Sequence, residues 1–202
     1  MKRLFPAVFT AILLCSCSYP GASSEPEEPD LSGFSDNVDP IFGPGEISVN
    51  ELAQTFGEPE LVYGYFDESG AQIVSVTFQE AMFDLACYDG RLQLEESSDQ
   101  IQDVPESVLD LELVPETVSI TGGDWQLPRN IRLGDSLDTV YSAYGSHGTE
   151  RTAQGERLIS YDLEDGAVTY HFDQEGSLFQ FTISWNDRSF PSGTDTGEAP
   201  PA

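Results

Sequence analysis

The sequence has one lysine, Lys2, and past Arg3 its basic side chains are six arginines, set against 36 acidic residues for a formal net charge of −28. Such a surface repels phosphate backbones and anionic headgroups, which excludes a nucleic-acid-binding role. Histidine is almost as scarce, with only His147 and His171. With the three cysteines, Cys15, Cys17 and Cys87, two of them at the amino terminus, too few nitrogen and sulfur ligands lie close together for a zinc site, although carboxylates are plentiful. There is no glycine-rich phosphate loop, no His-Glu-x-x-His pair and no nucleophile elbow. The chain therefore presents no catalytic motif and calls for no cofactor. Its longest apolar run, residues 4–14, is about half the ~20 residues that a membrane-spanning helix needs.

What is present is enough apolar material to fold, since 39% of the residues are hydrophobic, including 12 Phe, 8 Tyr and 2 Trp. At the amino terminus, Lys2, Arg3, the apolar run and Cys15-Ser16-Cys17 have the layout of a signal peptide. Leu14-Cys15-Ser16-Cys17 resembles the bacterial lipobox. Leu14 stands three places before Cys17 and the small Ser16 just before it, whereas Cys15 follows the bulkier Leu14, so Cys17 is the residue expected to carry lipid. The resemblance implies removal of residues 1–16 and a lipid anchor on Cys17 at the extracytoplasmic side of a bacterial envelope. Cys87 would then be the one remaining thiol outside the anchor, without a disulfide partner in the chain. Residues 17–45, with Ser23-Ser24-Glu25-Pro26-Glu27-Glu28-Pro29-Asp30, read as a disordered acidic tether, and residues 189–202 as a disordered tail.

Between these ends the chain reads as a tandem α+β duplication, a first module over residues 46–125 and a second over 126–188. In each, a serine precedes a short helix with one apolar face and a glycine follows it. Ser48 leads to Val49, Leu52, Ala53, Phe56 and Gly57; Ser136 leads to Leu137, Val140, Tyr141, Tyr144 and Gly145. Ser48 with Glu51 makes a capping-box pattern. Alternating strands come next. In the first module they fall at 61–66, 72–78, 83–87 and 91–94, with a hairpin turn at Asp89-Gly90. A further extended stretch over 109–121 contains Pro115, which predicts an edge position or a break. Cys87 alternates with Phe83 and Leu85 and reads as a core thiol, and Tyr63 and Tyr65 read as a contact patch or as packing against the other module. The expected fold is thus two short helices, each packed on its own small antiparallel β-meander.

The second module alternates most cleanly. Ile159, Tyr161, Leu163, Val168, Tyr170, Phe172, Phe179, Phe181, Ile183 and Trp185 read as an apolar face, and Ser160, Asp162, Thr169, His171, Gln180, Thr182 and Ser184 as the opposite one. Residues 146–156 read as a long loop carrying His147 and Arg151, with Arg157 just beyond, either a positive spot for an acidic partner or local charge balance. Candidate partner contacts are His147, Arg151, Arg157, Thr169, His171, Gln180 and Thr182. The acids at Asp162-x-Glu164-Asp165-Gly166 and Asp173-x-Glu175-Gly176 cluster oxygens without the spacing of a calcium loop, and turn chemistry accounts for them.

Gly134, Ser136, Val140 and Gly145 followed by Phe172-Asp173-Gln174-Glu175-Gly176, with Gly57-Glu58-Pro59 and Phe66-Asp67-Glu68-Ser69-Gly70 in the first module, give the pattern of a glycine-bounded helix and a meander with a Phe-Asp-x-x-Gly turn. This pattern resembles the clan that holds the outer-membrane assembly lipoproteins of SmpA/OmlA (BamE) type and the β-lactamase inhibitor protein. The resemblance implies a non-catalytic, partner-binding fold, often lipid-anchored. It carries over neither β-lactamase inhibition nor barrel assembly, because no partner-contact residue of either family is matched. The expected function is a protein-binding or envelope-assembly role. The alternatives are an extracytoplasmic hydrolase working through carboxylates and an acidic calcium sensor.

Overall fold

The computed structural model describes residues 31, 33–88, 91–92, 94–95, 101–153 and 155–186. Cys17, the turn at Asp89-Gly90 and the tail 189–202 lie outside the described residues. Among the described residues, three short α-helices, α1 (Phe34–Asn37), α2 (Val49–Phe56) and α3 (Leu137–Tyr144), accompany ten strands. The strands are β1 (Leu61–Phe66), β2 (Gln72–Thr77), β3 (Ala81–Cys87), β4 (Val114–Ile120), β5 (Gln126–Leu127), β6 (Ile131–Arg132), β7 (Thr149–Ala153), β8 (Glu156–Leu163), β9 (Gly166–Phe172) and β10 (Leu178–Trp185).

Local chemistry places these elements. Ser48 Oγ accepts from Glu51 N at 3.2 Å while Glu51 Oε2 accepts from Ser48 N at 2.9 Å, a complete capping box that starts α2. Ser136 Oγ accepts from Thr139 N at 3.2 Å and starts α3. Gly57 and Gly145, at φ 87° and 80°, release the chain from each helix. The two Phe-Asp-x-x-Gly segments fold alike: Asp67 Oδ1 accepts from Ser69 N and Ala71 N, and Asp173 Oδ1 from Glu175 N and Ser177 N.

The long-range arrangement overturns the expected pair of helix-on-meander modules. Eight strands form one antiparallel sheet in the order β1-β2-β3-β4-β10-β9-β8-β7, and the fold is predominantly β. Its halves join where β10 pairs β4, Phe181 opposite Ile120 and Ile183 opposite Val118. Two separate meanders would each leave a raw edge of unpaired N–H and C=O groups beside an apolar flank. Joining β4 to β10 satisfies both at once.

Other expectations change for the same reason. Pro115 lies in a strand interior to the sheet rather than at its edge, and the expected break is there: the β3–β4 register slips beside it and β10 pairs only residues 117–120 of β4. The strand expected at 91–94 does not form among the described residues. Both edges of β3 are already taken, by β2 and β4, and Leu92 and Leu94 are buried as irregular chain instead. The end of the tether is folded: Phe34, Val38 and Phe42 are buried in the core, and Phe42 O accepts from Trp185 Nε1 at 2.9 Å. Three apolar residues at a spacing of four outweigh the acidic composition around them. The supposed loop 146–156 contains β7, an edge strand whose residues 149–153 pair with β8.

One parity of every long strand faces a single core. Val62, Val76, Phe83, Val118, Ile183, Val168 and Tyr161 run side by side across seven strands. Against them pack Phe34, Phe42, Val49, Leu52, Val108, Val140 and Tyr144 from the helical segments, with Leu127 and Ile131 from β5 and β6. The other parity stays out of this cluster, so the sheet has a helix-covered face and, among the described residues, a second face that no helical segment joins, open over much of its extent but buried at Ile73, Ser75 and Ala86.

Candidate functional site in the open sheet face

The open face has two halves of different chemistry. Over β8–β10 and the adjoining β4, hydroxyls stand in register: Ser160 beside Thr169, Thr169 beside Thr182, Thr182 beside Ser119. Ser160 Oγ lies 2.8 Å from Thr169 Oγ1, and Ser119 Oγ lies 3.0 Å from Thr182 Oγ1. Gln180 Nε2 donates to Thr182 Oγ1 at 3.2 Å, and His171 Nε2 lies 3.4 Å from the same oxygen. Burial holds the pKa of His171 below its ordinary value, partly offset by the charge of Glu156. Phe179, expected on the apolar stripe, instead packs edge-on to the His171 ring at 6.2 Å, because the β9–β10 register shifts between Leu178 and Gln180. Thr169, His171, Gln180 and Thr182, expected as partner contacts, therefore do share one patch.

The arginines do not form a joint positive spot. Arg151 is opposite Leu158, which is opposite His171, and so belongs to the open face. Arg157 is opposite Phe172, which places it on the helix side. There Arg157 Nε lies 2.6 Å from Glu150 Oε1, and Arg157 Nη2 reaches the Tyr141 hydroxyl of α3 at 3.4 Å. The period of two puts residues six apart on the same face, but the tight turn between β7 and β8 reverses the phase. His147 is exposed in the connection from α3 to β7.

Over β1–β4 the open face is acidic and aromatic. Tyr63 is opposite Ser75, Ser75 opposite Asp84, and Asp84 opposite Thr117; one step along, Tyr65 is opposite Ile73 and Ile73 opposite Ala86. The Tyr63 and Tyr65 rings lie 6.1 Å apart, tilted by 36°. Burial raises the pKa of the Asp84 carboxyl, with Ser75 and Tyr65 drawing it back down. Burial and the nearby charges of Asp84, Glu116 and Asp67, with Tyr63, push the Tyr65 phenol up to about 12. Tyr88 OH donates to Glu116 Oε1 at 2.8 Å. Asp84 and Ser75 were missed from the sequence, although a carboxylate between Phe83 and Leu85 of an apolar strand was a visible signal.

Away from the sheet, a cavity of about 510 Å³ lies between Phe34, Asn37, Gln126, Leu127 and Arg129, and its lining holds no carboxylate among the described residues. Arg129 and Asn130 there have φ of 64° and 65°, and Arg129 Nη1 donates to Ala143 O at 2.6 Å with its guanidinium 5.2 Å from the Tyr144 ring. Among the described residues no group of three or more His, Cys, Asp or Glu is placed to hold a metal ion. Cys87 is a buried thiol, as its place between core positions predicts.

No family model and no curated protein matches this sequence. Among solved structures, an extracellular protein containing an SCP domain from Bacillus anthracis matches at 13% identity and a TM-score of 0.41 over 71% of this chain and 44% of that one. The chain thus spans less than half of that protein. A DUF4309 family protein, YjgB, from Bacillus subtilis matches at 9% identity and a TM-score of 0.41, over 76% of this chain and 90% of that one.

Proposed function

We propose that this chain is a non-catalytic binding protein of the bacterial envelope, lipid-anchored at Cys17 on the extracytoplasmic side, that engages a protein partner through the open face of its sheet. One observation carries the reading. The helical segments pack against one face, and the other has tyrosines, hydroxyls, His171 and Asp84 across the strands with, among the described residues, no helical segment over them. A broad half-polar face with aromatic anchors has the composition of a protein interface, whereas a hydrolase needs converging ionisable groups in a concave pocket. The signal-peptide layout before Cys17 and the resemblance to partner-binding envelope lipoproteins support the anchoring.

The test is photo-cross-linking on intact cells from a probe at Thr169 or Tyr63, with a probe at Glu164 as the off-face control. A defined protein captured from the face and not from Glu164 supports the reading, and equal capture from all three sinks it. Mass spectrometry of the mature amino terminus tests the anchor: an unmodified Cys17 removes it.

A further inference from the structure

We propose that the open face around Asp84 is a receptor for a cationic side chain, an arginine or lysine presented by a protein partner, with Tyr63 and Tyr65 as its aromatic wall. The proposal rests on the protein-binding reading above and names the chemistry of the partner. Asp84 is half-buried in the middle of an antiparallel strand, one register step from Ser75 and two from Tyr63. The groups acting on its titration are burial, Ser75 and Tyr65, with no cation among them. A carboxylate held this way is poorly solvated and lacks a counter-charge, a state that an incoming guanidinium or ammonium relieves.

Three further observations point to a ligand. Ser75, 1% exposed, stands beside Asp84, and it and Tyr65 act on the carboxyl as neutral hydrogen-bonding groups that leave its charge unmet. Tyr63 and Tyr65 stand side by side on the same face at 6.1 Å, and the negative faces of such rings attract a cation that a carboxylate also holds. Asp67 and Glu116 act on Tyr65 together with Asp84, so three carboxylates surround one phenol that stays protonated as a donor. Two of the chain's arginines are paired elsewhere, Arg157 with Glu150 and Arg132 with Asp124. With 36 acids against eight bases, the charge here is met from outside.

An aromatic wall also suits a sugar ring, and the probes separate the two. The full chain, isotope-labelled, is titrated with N-acetyl-arginine amide, with its neutral isostere N-acetyl-citrulline amide, and with N-acetylglucosamine, followed by the amide signals of residues 63, 65, 75 and 84. The expected result is a saturable response to the arginine probe at these four positions, at least fivefold weaker with the citrulline probe, and weakened at least fivefold in Asp84→Asn. Asp84→Asn keeps the shape of the side chain and is expected to fold; Tyr65→Phe, which keeps the ring, should retain most of the response. A response spread evenly over exposed acids such as Glu164 and Glu175 overturns the site, as does an Asp84→Asn variant that binds as well as the parent. A stronger response to the sugar or to citrulline overturns the cationic ligand. A partner cross-linked from Thr169 but not from Tyr63 also overturns this receptor while leaving the protein-binding reading in place.

Discussion

The two halves of the open face are built on the same strand geometry yet handle their polar groups in opposite ways. Over β8–β10, Ser160 meets Thr169, and Thr182 Oγ1 alone meets Ser119, Gln180 and His171. Over β1–β4, Asp84 lies half-buried without a cation and Ser75 Oγ makes no standard hydrogen bond. The first arrangement contributes to the fold through satisfied hydrogen bonds; the second keeps a carboxylate in surroundings that disfavour its charge. The difference teaches that the better-satisfied patch is the poorer guide to where a ligand goes, because its groups have already found partners.

The comparison presupposes that both halves are one cooperative unit, and the largest expected effect tests that. Phe181 is fully buried at the seam, edge-on to Phe42 at 6.2 Å. Phe181→Ala should destabilise by about 3–5 kcal/mol. In hydrogen exchange, amides of β2 and β9 should lose protection together; loss confined to β7–β10 would mean that the halves open separately. Next, Thr182→Val removes the shared oxygen and leaves Ser119, 7% exposed, without that partner. A loss of about 1–3 kcal/mol in urea unfolding is expected, whereas Ser75→Ala, which breaks no standard hydrogen bond, should change stability by a few tenths at most. Equal losses from both would erase the contrast.

The helix starts offer a smaller test. Ser48→Ala should lose about 1 kcal/mol and Ser136→Ala rather less, because only Ser48 also donates to a carboxylate, Glu51 Oε2 at 2.8 Å. Thermal melts of the two variants give the order directly.

The smallest effects are in the pH dependence, where the halves should pull in opposite directions. The pKa of Asp84 is raised on folding, so its contribution to stability declines as pH rises from the ordinary carboxylate value through the folded one. Asp84→Asn should therefore raise the melting temperature at neutral pH and give no gain in strong acid. The pKa of His171 is lowered, so stability declines as pH falls from the ordinary value of 6.5 through the folded one, and His171→Gln should remove that dependence. Side-chain NMR titration of both residues supplies the check; a raised pKa for His171 or a lowered one for Asp84 would reverse the assignment.

Local features were legible in the sequence because local chemistry makes them. A serine before an apolar helical face and a glycine after it can only satisfy their own backbone neighbourhood, and the two caps form as their residues require. The Phe-Asp-x-x-Gly turns do likewise, and the period of two assigned Thr169, His171, Gln180 and Thr182 to one face before any pairing was known. Strand partners were not legible, because every strand edge has the same backbone groups and nothing local says which edge meets which. Tertiary structure alone joined β4 to β10, put Pro115 in a central strand, drew Phe34, Val38 and Phe42 out of an acidic stretch into the core, and separated Arg151 from Arg157. It also set Asp84 beside Ser75 and Tyr65, residues from three strands that become neighbours only when the sheet closes. Periodicity settles which way a side chain points; only the competition of all edges for partners, with one apolar core to cover, settles what it points beside.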